Sequence, residues 1–330
     1  MKLSFRGFHI LTRILITGIT GFVGYYLSQF LTTQNDLEIY GTRINEEDLF
    51  PVEDFDAPEM INLRIMDITI QEQVSTVLNE VRPDIIFHLA AQSNVAISFK
   101  EPQLTFNVNA LGTLNLYDSI KKLNLDPTII AVGSAAEYGM ITESDLPINE
   151  KTPLHPMDPY GASKVSMYFL SRLFYEVFNL KIIYTRAFNH FGPHQKPSFA
   201  IPSFCQQIAE IEQGQRPPII NVGNLETVRD YLDVRDVVQA YWILAQRGLP
   251  GEIYNIASGN GQKMSIILNF LLSLAQIPIT IKMDLEKYRP SDIPTIYGDS
   301  TKIQKETGWH PSININQTLE DTLNFWRNII

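Results

Sequence analysis

The sequence predicts an α/β fold: a doubly wound parallel sheet followed by a smaller C-terminal mixed α/β region. Three observations predict it. Short β-branched runs alternate with helical patterns over the first 190 or so residues, a glycine-rich turn follows the first run, and the alternation then breaks into proline-punctuated pieces. Residues 13–17, 37–42, 60–66, 84–89, 128–134 and 180–186 read as strands buried on both faces, because they are apolar without alternating polar positions. Helical spacing covers residues 22–33, 71–81, 105–123 and 160–178, which places a crossover between successive strands. Beyond residue 190, Pro193, Pro197, Pro202, Pro217, Pro218, Pro250 and Pro278 divide the chain into shorter elements, expected to cap the carboxyl edge of the sheet. The acidic stretch 45–59 reads as a connection with no chemistry of its own.

Length and composition narrow the function classes. A chain of 330 residues holds about two domains at roughly 150 residues each. Its 45% apolar and 19% charged residues exclude disordered, collagenous and coiled-coil classes. With 26 basic against 36 acidic residues the net charge is -10, and no basic run stands ready to neutralise a phosphate backbone, so nucleic acid is not an expected partner. The single Cys205 cannot close an internal disulfide and has no ligand neighbour, which fits a reducing, cytoplasmic setting and a small buried hydrophobe. No leader pattern is read at the start, and no run nears the roughly 18 apolar residues of a membrane span.

The first strand runs into Thr17-Gly18-Ile19-Thr20-Gly21-Phe22-Val23-Gly24 and then a helix. In that context Gly18 serves the tight turn, Gly21 lets backbone N–H groups approach a pyrophosphate, and Gly24 lets the helix lie close to the sheet. This is the dinucleotide-binding turn of a Rossmann-type sheet. A carboxylate at the end of the second strand would take both ribose hydroxyls; here the strand ends Gly41-Thr42-Arg43, and a guanidinium suits a 2′-phosphate. NADP(H) is therefore the expected cofactor, with NAD(H) as the alternative. Asp67 and Ile68 after the third strand are placed at the adenine edge, and Leu89, Ala90 and Ala91 supply small residues beside the cofactor.

Tyr160 and Lys164 stand four apart at the start of a helix behind Pro159 and share one face. An ammonium beside a phenol favours the phenolate, so the pair suits acid–base chemistry. Ser134 ends the fifth strand on the ligand edge, where its hydroxyl is placed to bond a substrate oxygen beside Tyr160. His190 and His194 lack a third ligand at metal spacing, so no metal is assigned. His88 reads as a satisfied core imidazole, and Leu323, Phe325 and Trp326 as packing for a last helix.

Together with His88-Leu89-Ala90-Ala91, Gly133-Ser134, Arg186-Ala187-Phe188-Asn189 and Thr307-Gly308-Trp309-His310-Pro311, these residues resemble the extended short-chain dehydrogenase/reductases acting on nucleotide sugars, over nearly the whole chain. The stretches 186–195, 222–226 and 229–236 resemble the GDP-mannose branch, which holds 4,6-dehydratases and 4-keto reductases. The resemblance implies that Ser134, Tyr160 and Lys164 are catalytic, that Tyr160 and Lys164 also meet the cofactor, and that Asn189, Val222, Arg229, Arg289 and Asp292 bind the nucleotide sugar. It also implies an NADP-binding unit over 1–190 and a nucleotide-sugar region over 191–330, some of which returns to the sheet. Helices 105–123 and 160–178 are then expected to pair with a second copy as a homodimer or homotetramer. Within the branch, dehydratases carry Glu, and the GDP-fucose-forming epimerase-reductases Cys, where this chain has Ala136. A methyl group moves no proton. Glu137 is expected to face away by strand alternation. Reduction of the C4 ketone of GDP-4-keto-6-deoxy-D-mannose, giving GDP-D-rhamnose, is the activity this implies. The 6-deoxy-D-talose epimer, a 4,6-dehydratase and a non-catalytic nucleotide-sugar or NADP sensor are the alternatives.

Overall fold

A computed structural model describes residues 11–51, 58–284 and 293–330. Its strands in chain order are β1 (Thr12–Thr17), β2 (Leu37–Arg43), β3 (Ile61–Ile65), β4 (Ile85–His88), β5 (Thr128–Ser134), β6 (Lys181–Ala187), β7 (Asn189–Phe191), β8 (Ile219–Val222), β9 (Val228–Asp233), β10 (Ile253–Ile256), β11 (Gly261–Lys263), β12 (Thr280–Met283) and β13 (Thr295–Ile296). The helices are α1 (Phe22–Thr32), α2 (Gln71–Val81), α3 (Val95–Lys100), α4 (Pro102–Phe106), α5 (Gly112–Lys122), α6 (Pro159–Phe178), α7 (Ala200–Glu212), α8 (Val234–Arg247), α9 (Met264–Ser273), α10 (Thr301–Thr307) and α11 (Ile315–Ile329).

Seven strands form one sheet in the order β10-β6-β5-β4-β1-β2-β3, every pairing parallel. Strand alternation explains its two covered faces. Ile14 and Ile16 of β1 pack with Leu27, Leu31, Val237 and Leu244 of α1 and α8, while Leu15 packs with Val74, Leu78, Leu116, Ile120 and Met167 of α2, α5 and α6 on the opposite side. A fully parallel sheet needs this double cover, since each face is apolar. The order reverses beside β1, and such switch points open a crevice at the carboxyl ends of the strands.

Two of the expected elements differ in detail. The helix expected over 105–123 starts at Pro102 and passes through a π turn, Asn107–Leu111, before continuing as α5. The strand expected over 60–66 is shorter, because Pro58–Met60 is a 3-10 turn.

In the C-terminal part, β9 pairs with β7 and β13 in parallel and with β11 antiparallel, and β12 pairs with β8. Helices α7, α9 and α11 close a separate core there around Ile208, Cys205, Val222, Leu268, Leu323 and Trp326. Strand β10 returns to the main sheet against β6. Asp230 of β9 ties the two sheets together. Its buried carboxylate accepts from Ser258 N and Oγ at 2.8 and 2.6 Å, Gly259 N at 3.1 Å and Gly298 N at 3.2 Å. In Asp230→Ala those donors, from segments behind β10 and β13, lose their acceptor. Unfolding free energy is expected to fall by about 3 kcal/mol, read as a lower urea midpoint.

Candidate active site

The turn after β1 is built around two close approaches. Gly18 has φ +70, and a Cβ there would sit 2.9 Å from the Ala90 Cα, so the ends of β1 and β4 touch through backbone. A Cβ on Gly24 would strike the carbonyls of Ile19 and Gly18 at the foot of α1. Helix α1 begins with Gly21 as a bare N-cap and carries no acidic residue in its first turn. Its exposed N-terminus thus presents N–H groups and positive dipole without an internal competitor, a fit for a pyrophosphate. Phe22 stacks on His190 at 6.4 Å, linking this turn to β7, and Val23 packs against the core behind it.

The rim around the turn is partly prearranged. Arg43 ends β2, where its Nη1 donates to Glu46 O at 3.0 Å. Its Nε is buried without a partner, an unsatisfied donor that fits a phosphate at this edge. Thr20 Oγ1 donates to Asp48 Oδ2 at 2.9 Å, so Asp48 anchors the glycine turn, a part not expected of the acidic stretch; residues 52–57 of that stretch lie outside the described residues. Asp67 Oδ1 is taken by Thr69 N and Oγ1 at 2.8 and 2.7 Å, while Ile68 is buried. Leu89 and Ala90 donate their backbone N–H groups to Thr17 Oγ1, both at 3.1 Å, and Ala91 follows, partly exposed.

Ser134, Tyr160 and Lys164 converge at the end of β5. Lys164 Nζ donates to Val132 O at 2.7 Å, while Ser134 Oγ accepts from Ala136 N at 3.2 Å and lies beside the Tyr160 phenol. Burial lifts the phenol to about 12, against the Ser134 hydrogen bond, with the charges of Glu137 and Asp158 raising it further. Burial also lowers Lys164 to about 8, opposed by Glu137. At neutral pH the phenol therefore keeps its proton.

Ala136 and Glu137 lie in a 3-10 turn, Ala135–Glu137, rather than on a strand. Alternation is thus the wrong reason for Glu137 to face away; its partners supply the right one. Glu137 is fully buried in an ion pair with Arg186 Nε at 2.8 Å, and its Oε1 accepts from Ser134 N at 2.8 Å and Tyr184 Oη at 2.9 Å. Burial raises its pKa while Arg186 pulls it down.

A buried polar chain behind the site was not anticipated. Thr17 Oγ1 meets His88 Nδ1 and Thr113 Oγ1 meets His88 Nε2, both at 2.9 Å, and Thr113 donates to Asn109 O at 2.6 Å. Asn109, in the π turn, accepts from Gln92 N at 2.8 Å and donates to Gln92 O and to Ser163 Oγ at 3.0 and 2.9 Å. Ser163 in turn donates to Tyr160 O at 2.6 Å. Its signal in the sequence is Asn107 and Asn109, poor helix formers inside an otherwise helical run, and a π turn of this kind often accompanies a functional site.

On the other side of the cleft, Asn189 is exposed in β7 and donates from Nδ2 to Asp230 O at 3.2 Å. Arg229 Nη1 donates to Val228 O at 2.9 Å and Pro294 O at 3.4 Å. The Val222 side chain is buried in the C-terminal core, and its carbonyl accepts from Asp284 N at 2.8 Å. Arg289 and Asp292 lie outside the described residues. Among the described residues no group of three or more His, Cys, Asp or Glu could hold a metal ion, and no helix is long and apolar enough to cross a membrane.

A Rossmann-type sheet, an open helix N-terminus at its switch point and a Ser, Tyr and Lys cluster at the next strand end define a nucleotide-dependent oxidoreductase of the extended short-chain class. Comparison with known proteins narrows this. The model of the GDP-mannose 4,6 dehydratase family matches residues 15–322, and the chain belongs to that family. GDP-6-deoxy-D-mannose reductase of Pseudomonas aeruginosa is 33% identical over 96% of this chain and 97% of its own length. Human GDP-mannose 4,6 dehydratase is 29% identical over 93% of this chain and 89% of its own. The structure of RMD from Pseudomonas aeruginosa complexed with NADPH superposes with a TM-score of 0.83 at 31% identity, covering 96% of this chain and 99% of that one.

Burial, together with the nearby Lys164 charge, pushes His88 down to about 3. Below about pH 6.5 the unfolded chain binds a proton there that the folded chain does not. Stability therefore falls as pH drops from about 6.5 towards 3, by up to about 1.4 kcal/mol per unit. Urea midpoints taken at intervals down to about pH 4 are expected to lose that part of their slope in His88→Gln.

Proposed function

We propose that this protein is an NADP(H)-dependent reductase of the C4 ketone of GDP-4-keto-6-deoxy-D-mannose, forming GDP-D-rhamnose. One observation carries the choice within the family: Ala136 offers only a methyl group, and the neighbouring Glu137 is consumed by Arg186, Ser134 and Tyr184. Elimination and epimerisation need a side chain that moves a carbon-bound proton, whereas ketone reduction does not. The identity to a protein named GDP-6-deoxy-D-mannose reductase and the likeness to a structure holding NADPH support the same reading.

When bound, the nicotinamide supplies the hydride for C4. Tyr160, protonated at neutral pH, gives its proton to the developing alkoxide, and Ser134 holds the ketone oxygen beside it. Lys164 holds the nicotinamide ribose and adds positive charge to the site as Tyr160 gives up its proton. The turn of Gly18, Thr20, Gly21, Phe22, Val23 and Gly24 takes the pyrophosphate, Arg43 the 2′-phosphate, Asp67 and Ile68 the adenine, and Leu89 to Ala91 the space beside it. Asn189, Val222, Arg229, Arg289 and Asp292 are assigned to the nucleotide sugar. On this division residues 1–190 bind cofactor and 191–330 bind substrate, with β10 lent back to the sheet. Exposed Leu104, Leu111, Phe169 and Leu173 give α4 to α6 an apolar outer face, which a second copy of the chain would cover in a dimer. A cytoplasmic location fits the lone buried thiol.

The family also contains dehydratases, so the decisive assay offers both substrates. GDP-4-keto-6-deoxy-D-mannose with NADPH is expected to lose nicotinamide absorbance and yield a product identified as rhamnosyl or 6-deoxytalosyl by NMR. GDP-mannose without reductant is expected to stay unchanged, and its dehydration would overturn the proposal. Tyr160→Phe is expected to lower kcat by about 100-fold or more while NADPH affinity, followed by fluorescence, stays close to wild type. Arg43→Ser is expected to weaken NADPH binding by about tenfold and leave NADH binding nearly unchanged.

A further inference from the structure

The ion pair behind Ser134 is more than core filling. Glu137 and Arg186 are both buried, and the guanidinium lies between the rings of Tyr138 and Tyr168, 4.9 and 4.7 Å from their centroids. Removing two charges from water is costly, and two shape-matched apolar side chains would fill the same space. The pair's contacts suggest what offsets that cost. Oε1 of Glu137 receives the Ser134 N–H at 2.8 Å, and the Tyr184 hydroxyl that meets the same oxygen at 2.9 Å also lies 2.9 Å from the Lys164 carbonyl. That carboxylate oxygen thus holds the Ser134 backbone on β5 directly, and the single Tyr184 proton, shared between it and the Lys164 carbonyl, reaches on to α6. Even Gly133 conforms, since a Cβ there would collide with that oxygen.

We propose that Glu137, held in place by Arg186, is a positioning residue that fixes Ser134 and Lys164 relative to each other and sets its carboxylate within the electrostatic reach of the buried Lys164 side chain. The groups facing Lys164 are few. Among the described residues, His88 approaches from β4 and is neutral at ordinary pH, Val132 O accepts from Nζ at 2.7 Å, Met167 Sδ lies 3.8 Å away on the same helix, and Glu137 is the anion acting on the ammonium. Burial works against the ammonium, and the carboxylate opposes that. The other half of the ion pair is turned away, towards Tyr138 Oη and Glu150 O at 3.3 Å each. The same arrangement bears on Tyr160, whose phenol is kept protonated first by burial, with the Glu137 charge adding to it, and this is the form that gives a proton to an alkoxide.

This inference rests on the proposed ketone reduction, so its test includes a readout that needs no substrate. In protein labelled with 15N-lysine, the Lys164 Nζ resonance is assigned by its loss in Lys164→Arg and titrated. Glu137→Gln keeps an oxygen for Ser134 and Tyr184 but removes the charge; it is expected to lower the Lys164 midpoint by about one pH unit and to bring the alkaline limb of kcat down with it. Tyr184→Phe keeps the charge and the ring but cuts the link to Lys164 O; it is expected to leave the midpoint in place and lower kcat about tenfold, with KM for the keto sugar unchanged. An unmoved Lys164 midpoint in folded Glu137→Gln, or wild-type kcat in Tyr184→Phe, overturns the inference. If Glu137→Gln does not fold, Tyr184→Phe alone decides. If the wild type reduces no keto sugar, the substrate reading falls, and the lysine titration still decides the inference.

Discussion

Everything chemical in this protein depends on holding the carboxyl ends of neighbouring parallel strands at a fixed height. The Thr17 hydroxyl does this for β1 and β4, accepting two backbone N–H groups from the turn after β4 and meeting the His88 imidazole. Gly18 lets the same two strand ends touch without a side chain between them. A shift of one residue would move every strand-end group to the other face, so register and site are one constraint. The imidazole extends it into the π turn, where Asn109 clasps Gln92 and Ser163 and thereby steadies the first turn of α6 that bears Tyr160.

A second constraint is electrostatic. The cluster at the end of β5 places a partly buried phenol and hydroxyl beside a buried ammonium and carboxylate, and the charge of each buried group follows from its neighbours. Glu137 is the pivot: it could have been a base, and its three partners make it a strut. The difference between a residue that handles protons and one that holds geometry lies in which donors reach its oxygens, not in its type.

The periodicity of the apolar runs made the sheet legible, because a strand buried on both faces has no polar alternation to be confused with a helix in so short a stretch. The glycine turn was equally legible, since its spacing answers to backbone geometry that no other residue tolerates. Less legible were the features made by packing. The π turn of 107–111 interrupts a run that reads as plain helix, and Asp48 reads as a solvated loop charge until the glycine turn folds against it. Glu137 was excluded from chemistry by strand alternation, yet it stands in a 3-10 turn and is withdrawn by an ion pair with Arg186, nearly fifty positions away.

The amino-acid sequence alone determined the parallel α/β architecture, the dinucleotide turn and the identity of the Ser, Tyr and Lys that meet at its edge, because each rests on spacing within a single element. Tertiary structure decided the partners of Glu137, the clasp at Asn109 and the link of Asp230 between the two sheets. Those are contacts between segments far apart along the chain. Local spacing carries no information about which distant donor arrives at a buried carboxylate, and burial then makes that partner decide the group's charge and its use.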